Sequence, residues 1–196
     1  MVPNRAEPAG VPAAFASAAT PEWLRSLCAD TVAVSGADAQ AAFAIKLAHR
    51  NITTGSGGPF GAAVFDDDGC LVAAGVNRVV SLATSIAHAE VLALVGAQAR
   101  VGRARLNAGG RRYTLATSAQ PCAMCFGAIL WAGIDILLIG ARAQDVEALA
   151  GFDEGPLPHD WLRQLEQRGI TVERDLRRED ARAVLAQYAR GGGPRY

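Results

Sequence analysis

The sequence predicts an α/β fold: a three-layer α/β/α domain around a central five-stranded mixed sheet. Segments with strand character alternate with segments of helical period along most of the chain, as expected when helices cover both faces of a sheet. Two strands near the start are joined by the turn Asp66-Asp67-Asp68-Gly69, which predicts an antiparallel hairpin. No internal repeat or linker interrupts the pattern, so the 196 residues are expected to form one domain.

Each predicted element is delimited by turn residues or by a change in the spacing of apolar side chains. The predicted strands cover 62–65, 70–76, 113–117, 136–139 and 170–172. The predicted helices cover 38–51, 88–101, 122–131, 143–150, 159–168 and 178–189. The strand at 136–139 is apolar at every position, as expected of a strand that is covered on both faces.

Residues 1–36 are expected to form an N-terminal arm, partly disordered or docked on a partner, and residues 37–196 the domain itself. The first twenty residues are rich in alanine and small polar residues, and three prolines interrupt any regular element there. A short helix is expected to begin near Pro21, with Trp23 as its anchor.

Positive and negative side chains balance, since Lys+Arg and Asp+Glu each number 19. Such a chain lacks the net charge that attracts nucleic acids or anionic membranes, so neither is expected as a partner. No apolar run reaches the roughly 18 residues of a membrane span, and no basic segment followed by an apolar one begins the chain. A cytoplasmic protein is therefore expected.

One histidine, two cysteines and one carboxylate form a catalytic zinc inventory: His88, Cys122, Cys125 and Glu90. The cysteines are three residues apart and follow Pro121, so at the start of a helix both sulfurs face the same side. Structural zinc sites use four protein ligands, whereas catalytic sites use three and leave one position to water. The sequence therefore predicts one Zn²⁺ per chain, bound by the histidine and the two cysteines.

Two other interpretations of the cysteine pair fit less well. A zinc ribbon needs a second pair, which is absent, and a thioredoxin-like redox pair leaves His88 and Glu90 without a role. These two residues are two apart and would point about 200° apart within a helix, so His88 is expected at or before the helix start. The remaining histidines, His49 and His159, are expected in the core.

The inventory indicates hydrolytic deamination. A zinc ion lowers the pKa of a bound water, and Glu90 beside that water can accept its proton and later deliver it to a leaving amine. The pattern His88-Ala89-Glu90 followed by Pro121-Cys122-Ala123-Met124-Cys125 matches the known signature of zinc-dependent nucleobase deaminases.

Over about residues 38–155 the chain resembles the cytidine-deaminase-like superfamily, and within it the guanine deaminase branch of the nucleoside deaminases. The resemblance rests on these motifs: Gly57-Gly58-Pro59-Phe60-Gly61-Ala62, Gly75-Val76-Asn77, the two zinc motifs, Thr117-Ser118, Gly127-Ala128-Ile129, Trp131 and Gly151-Phe152-Asp153-Glu154. The last motif together with Trp131 indicates guanine as the substrate.

The resemblance implies a set of substrate-binding residues: Phe60, Asn77, Ala89, Trp131 and Tyr196. Asn77 would hydrogen-bond the purine, Phe60 would stack on it, and the Ala89 backbone would help to hold it. Each has a simpler alternative as well: Asn77 as a turn former, Phe60 as core packing and Tyr196 as a frayed end.

The resemblance also implies that Glu154 is a second catalytic residue beside Glu90, carrying a proton near the amino group, and that Tyr196 closes the pocket. In guanine deaminases of this type the C-terminal segment is exchanged between two subunits. A homodimer is therefore expected, in which Glu154 and Tyr196 serve either their own site or that of the neighbour.

The sequence thus predicts a zinc-dependent hydrolase that converts guanine to xanthine and ammonia. The chain departs from this branch at Gln120, where the branch usually carries glutamate. This difference is expected to affect substrate preference and not the chemistry. The alternatives are the same chemistry on guanosine, ammeline or another aminotriazine, or cytosine, and less favourably tRNA adenosine deamination. A zinc-binding scaffold without activity would have no use for Glu90.

Overall fold

The computed structural model describes residues 19–31 and 33–196, and its centre is a five-stranded sheet. Its strands are β1 Gly61–Asp66, β2 Leu71–Val76, β3 Tyr113–Ala119, β4 Ile136–Ala141 and β5 Thr171–Glu173. In space the order is β2-β1-β3-β4-β5. Strand β1 runs antiparallel to β2 and β3, whereas β3, β4 and β5 are parallel. The predicted mixed sheet is confirmed.

Helices surround this sheet. In the described ranges they are α1 Glu22–Asp30, α2 Ala37–Thr53, α3 Val79–Leu82, α4 Ala89–Val101, α5 Ala123–Ala132, α6 Ala143–Ala150, α7 Trp161–Glu166 and α8 Arg178–Arg190. The six predicted helices are present as α2 and α4 to α8, and α3 falls partly in a segment predicted as a loop. None of the helices that the structure describes is long and apolar enough to cross a membrane.

Alternate strand residues divide the core into two layers, as the period of two requires. On β1, Val64 belongs to the cluster beneath α4, α5 and α7, whereas Phe65 belongs to the cluster beneath α1 and α2. On β4, Leu137 and Leu138 divide in the same way. A third cluster extends the second layer beneath α6 and α8. The predicted three-layer α/β/α arrangement is therefore confirmed.

Two helices pack directly on the backbone of the hairpin because glycine occupies the points of contact. A Cβ atom at Gly61 would lie 2.5 Å from the Ala44 carbonyl oxygen of α2. A Cβ atom at Gly75 would lie 2.6 Å from the Ala93 nitrogen of α4 and closer still to the Ala89 carbonyl oxygen. The position of α4 therefore depends on the missing side chain at Gly75.

The described part of the expected N-terminal arm packs on the domain through α1. Leu24, which is 1% exposed, is the buried anchor of this helix, and Trp23 is only half-buried. The indole nitrogen of Trp23 donates to Ser56 Oγ at 2.9 Å, and the Arg50 guanidinium lies 5.0 Å from the ring centroid. The expected disorder or docking of the first residues concerns 1–18, which lie outside the described residues.

A buried carboxylate joins α6 to α8. Asp145 is 3% exposed, accepts the Arg142 backbone N–H at 2.9 Å, and accepts two hydrogen bonds from Arg178 at 2.7 and 2.9 Å and one from Arg182. The hydrogen bonds from Arg178, followed by the Arg142 backbone bond, hold the pKa of Asp145 below its usual range. Asp145 thereby fixes the relative position of the two helices that lead into 151–154 and 191–196.

We expect Gly75→Ala to lower the free energy of unfolding by about 1–3 kcal/mol, since the added methyl group would overlap the α4 backbone. Chemical denaturation in urea measures this. Gly127→Ala is the matched control, because a Cβ at Gly127 meets no atom within 4 Å and alanine favours a helix by about 0.5–1 kcal/mol. Equal destabilisation by the two changes would contradict the close packing at Gly75.

Candidate active site

The side chains predicted to bind zinc come together at the N-termini of two helices. His88 is the residue before α4, with φ −75° and ψ 152°, and Cys122 is the residue before α5, with φ −69° and ψ 175°. Both residues are therefore extended, and Cys125 lies in the first turn of α5. The partial positive charge at the two helix N-termini favours thiolates at this place.

The spacing of the three donor atoms fits zinc. His88 Nδ1 lies 3.5 Å from Cys122 Sγ and 3.6 Å from Cys125 Sγ, and all three donor atoms lie within 4.8 Å of one another. Tetrahedral zinc with ordinary Zn–N and Zn–S distances requires nitrogen and sulfur ligands about 3.6 Å apart. One imidazole and two thiolates also match the ligand types that zinc prefers.

Cys122 is prepared to act as a thiolate. Its hydrogen bonds to Cys125 and then to His88 outweigh burial and lower the pKa of the Cys122 thiol to about 4. The hydrogen bond with Cys122, and then burial, raise the pKa of the Cys125 thiol. Of the two thiols, Cys122 therefore loses its proton first. Metal binding requires deprotonated thiols, and this arrangement supplies one of them at neutral pH.

Glu90 lies in the first turn of α4 and is buried beside the zinc-binding side chains. His88 stands outside the helix, which allows two residues that are two apart to reach the same cavity, and the predicted position of the helix start is confirmed. Burial, and then the negative charge of Cys122, raise the pKa of Glu90 to about 7. At neutral pH such a carboxyl group can both accept and donate a proton.

The donor groups open onto a cavity of about 90 Å³. Its lining residues are Phe60, His88, Glu90, Gln120, Cys122, Phe152, Asp153, Glu154 and Tyr196. The loop after α6 brings in Glu154, whose backbone oxygen accepts the Ala123 N–H at 3.0 Å at the start of α5. Burial, and then the charge of Glu90, raise the pKa of Glu154 to about 8. The structure thus places both predicted catalytic carboxyls in one cavity.

Aromatic rings form one wall of the cavity. The Phe152 ring centroid lies 5.2 Å from that of Phe60 and 4.9 Å from that of Tyr196. Phe152 also stacks on Tyr188, whose hydroxyl donates to the Pro194 carbonyl oxygen at 2.7 Å. Tyr196 therefore reaches the cavity of its own chain in this structure, and the exchange of its segment between subunits stays a prediction.

Asn77 lies behind the glycine-rich loop and is fully buried. Its Oδ1 accepts the Val79 N–H at 3.3 Å, whereas its Nδ2 has no hydrogen-bond partner among the residues that the structure describes. A Cβ atom at Gly58 would lie 2.6 Å from the Tyr196 hydroxyl and 3.2 Å from Asn77 Oδ1, so these two polar groups flank the same glycine. A buried donor without a partner is a candidate contact for a ligand.

Three of the predicted substrate-binding residues, Asn77, Ala89 and Trp131, do not line the cavity. Trp131 is 78% exposed on the outer face of α5, because Phe126 and Ile129 of the same helix are buried against the sheet. The Ala89 side chain is in the core, so only its backbone at the start of α4 is available.

Three lining residues had no predicted contact with the substrate, and two histidines were misplaced. Phe152 and Asp153 belong to the motif that ends at Glu154, and Gln120 was noted only as a departure from the branch, so the motifs themselves carried the available signal. His49 and His159 are exposed, and the prediction that they lie in the core was wrong. A single histidine carries no periodic signal that separates a core position from a surface one.

Comparisons with known proteins agree with this geometry. The model of the cytidine and deoxycytidylate deaminase zinc-binding region matches residues 36–141. The guanine deaminase of Bacillus subtilis (strain 168) is 37% identical over 127 residues, which cover 65% of this chain and 78% of that relative. A tRNA-specific adenosine deaminase of Buchnera aphidicola is 30% identical over 131 residues, with coverage of 66% and 79%.

Solved structures give the same result. The guanine deaminase from Nitrosomonas europaea is 46% identical, with a TM-score of 0.82 over 86% of this chain and 93% of that chain. A crystal structure in complex with 2,6-diaminopurine is 45% identical, with a TM-score of 0.85 and coverage of 90% and 94%. The three zinc-binding side chains all lie inside the matched zinc-binding region.

Because three side chains hold the metal, we expect His88→Ala and Cys125→Ser each to reduce the zinc content of the purified protein well below one ion per chain. Elemental analysis measures the content. Cys70→Ser is the matched control, since Cys70 pairs with Ala33 at a β-bridge outside the group of zinc-binding side chains. Full zinc content in either ligand variant would refute the assignment.

Proposed function

Since this chain belongs to the cytidine and deoxycytidylate deaminase family, we propose that it is a zinc-dependent hydrolase that converts guanine to xanthine and ammonia. The observation that carries the proposal is one cavity that two carboxyl groups, Glu90 and Glu154, line together with His88 and Cys122 of the zinc-binding group. The similarity to guanine deaminases supports the choice of guanine.

The proposed reaction adds water to C2 of guanine and releases the 2-amino group as ammonia. Zinc, when bound, makes that water more acidic. Glu90 accepts a proton from the attacking water and passes it to the ring nitrogen. It then accepts the proton of the new hydroxyl group at C2 and donates it to the departing amine, as the C2 carbonyl forms and the C2–N bond breaks. The raised pKa of Glu90 suits both directions of transfer. Guanine and water are consumed, and xanthine and ammonia are formed.

The remaining cavity residues position the base. The rings of Phe60, Phe152 and Tyr196 form one wall, which provides an apolar surface for the purine plane. Outside this lining, the buried amide N–H of Asn77, which lies beside Gly58, is a donor for an acceptor atom of the purine. Glu154 lines the same cavity, and because burial and the charge of Glu90 raise its pKa, it can carry a second proton near the amino group.

Other substrates retain the same chemistry and remain alternatives: guanosine, ammeline or another aminotriazine, and cytosine. The small cavity favours a free base over a nucleoside, because a ribose adds bulk beyond that of the purine. A tRNA substrate is less favoured, since the chain carries no net positive charge to hold an RNA backbone. The cytoplasmic location stays a prediction, which cell fractionation would test.

The direct test is ammonia release by the zinc-loaded protein with guanine, guanosine, cytosine, adenine and ammeline as parallel substrates. Fast release from guanine alone is the expected result. Fast release from another compound in the set would retain the mechanism and refute the substrate. Stoichiometric zinc without ammonia from any of them would support a scaffold without activity.

Replacing Glu90 with Gln removes the proton acceptor but keeps the size of the side chain. We expect this variant to retain its zinc and to lose at least about 100-fold in kcat, because general acid–base catalysis contributes about that much or more. Glu154→Gln should reduce kcat by a smaller factor. Normal turnover by the Glu90 variant would exclude its role, and a Glu154 variant that is unchanged on every purine would exclude the second carrier.

We also propose that the chain forms a homodimer through the outer face of α5. The ten residues of this helix include no charged side chain, Trp131 is 78% exposed, and Gly127 faces open space. An apolar helix face of this kind is expected to be covered by a partner, here a second copy. Exchange of the C-terminal segment, including Tyr196, would then place that residue in the neighbour's site.

Trp131→Glu should shift the molar mass measured by light scattering from two chains to one, with unchanged circular dichroism. The charge would be buried without a partner in the dimer, which is costly. Val80→Glu, at an exposed apolar residue of α3, is the matched control and should remain dimeric. A wild-type monomer, or dissociation by the control alone, would contradict this interface.

A further inference from the structure

Asn51 is fully buried near the end of α2, and its side chain joins two separate parts of the chain. Its amide nitrogen donates to the Gly58 carbonyl oxygen at 2.8 Å and to the Asn77 carbonyl oxygen at 2.9 Å. The first acceptor belongs to the glycine-rich loop 55–58, and the second directly follows β2. Asn51 therefore holds this loop and the end of the hairpin at a fixed distance from each other.

The side-chain amide of Asn51 acts only as a donor. Both of its partners are carbonyl oxygens, which accept hydrogen bonds, so its NH₂ end must face them. Its own Oδ1 has no hydrogen-bond partner among the residues that the structure describes. A leucine has a similar shape and would bury no unpaired acceptor, so packing alone does not account for an amide at this position. The two donated hydrogen bonds account for it.

Asn77 packs closely against the loop that Asn51 holds. A Cβ atom at Gly58 would lie 3.2 Å from Asn77 Oδ1. A Cβ atom at Gly57 would overlap the Asn77 carbonyl oxygen and lie 2.9 Å from Asn51 Nδ2. Because the contact is this close, loss of the hydrogen bonds of Asn51 would move the main chain of Asn77. The Asn77 amide N–H, which has no partner among the described residues, would move with it.

The zinc-binding group is held by other contacts. His88 and Cys122 precede α4 and α5, which pack on the layer of the core opposite to that of α2. Neither hydrogen bond donated by the Asn51 side chain reaches these two helices. Loss of the Asn51 hydrogen bonds should therefore disturb binding of the base and leave the metal and the proton transfer in place.

We propose that Asn51 is a positioning residue that orients the amide of Asn77 for the purine, an inference that rests on the proposed function. Asn51 is fully buried and is not among the residues that line the cavity, so it acts through Asn77. Its hydrogen bonds set the backbone of Asn77, while the Val79 N–H, which Asn77 Oδ1 accepts, orients the side chain. The unpaired amide N–H is then in place before the base arrives, so binding does not have to order it.

The test separates an effect on KM from an effect on kcat. Asn51→Leu keeps the shape of the side chain but cannot donate a hydrogen bond. It should raise KM for guanine about 10-fold, as for loss of one hydrogen bond to the base, while kcat changes by less than about 3-fold and the zinc content is unchanged. Steady-state ammonia release measures both constants. Asn51→Ala, which adds no bulk, is the second variant and should give the same result.

Gln40→Met is the matched control. Gln40 is also a buried amide of α2, and its Nε2 donates to a backbone carbonyl oxygen, that of Val34, at 3.0 Å, but it lies outside the cavity lining. This change should lower the stability of the protein and leave KM for guanine unchanged. An equal rise of KM in the control would show that any weakening of α2 has this effect, and it would overturn the inference.

A double-mutant cycle tests whether Asn51 acts through Asn77. In the Asn77→Ala protein, the effect of Asn51→Leu on KM should fall below about 3-fold, because the side chain that Asn51 positions is gone. An undiminished effect in that background, or an unchanged KM in both Asn51 variants, would overturn the inference. Failure of the proposed function is a separate result, since it appears as absence of ammonia release from guanine by the wild-type protein.

Discussion

The structure depends on the direct contact of α4 with the backbone of β2 at Gly75. Because no side chain separates the two, the N-terminus of α4 lies deep against the sheet, and it brings His88 and Glu90 with it. The start of α5 meets it from the end of β3 with Cys122 and Cys125. Metal-binding groups from two helices thus converge without any long loop, and rigid elements hold them in place.

One side of the catalytic cavity is this zinc-binding group, which the sheet holds directly. The other side is formed by segments that reach the sheet only through α6 and α8. Glu154 and Tyr196 come from segments that follow α6 and α8, and the buried Asp145 with its arginine partners joins these two helices. The Phe152 ring then packs against Tyr188 and Tyr196. The zinc-binding side of the cavity is therefore set by sheet packing, and the opposite side by one charge network and one aromatic cluster.

Local chemistry and periodicity made the sheet, the helices α2 and α4 to α8, and the zinc-binding side chains predictable, because each leaves a short-range pattern. Burial of single residues was less predictable. Whether Trp23 or Leu24 anchors α1, and whether Trp131 faces inward, depends on which side of a helix meets the sheet, and that is a tertiary property. Gln120 was expected to affect substrate preference, but its place in the lining follows only from the folded β3–β4 pairing.

The size of the closed cavity has a kinetic consequence. About 90 Å³ is far less than the roughly 300–1,000 Å³ of typical small-molecule sites, so a purine fits only after part of the wall moves. Tyr196 is 42% exposed and ends a segment that begins with Gly191, Gly192 and Gly193, and the backbone freedom of these glycines permits such a movement. Each turnover then contains an opening before the chemistry and another before product release. The slower of these openings sets an upper limit on kcat that no improvement in proton transfer can raise.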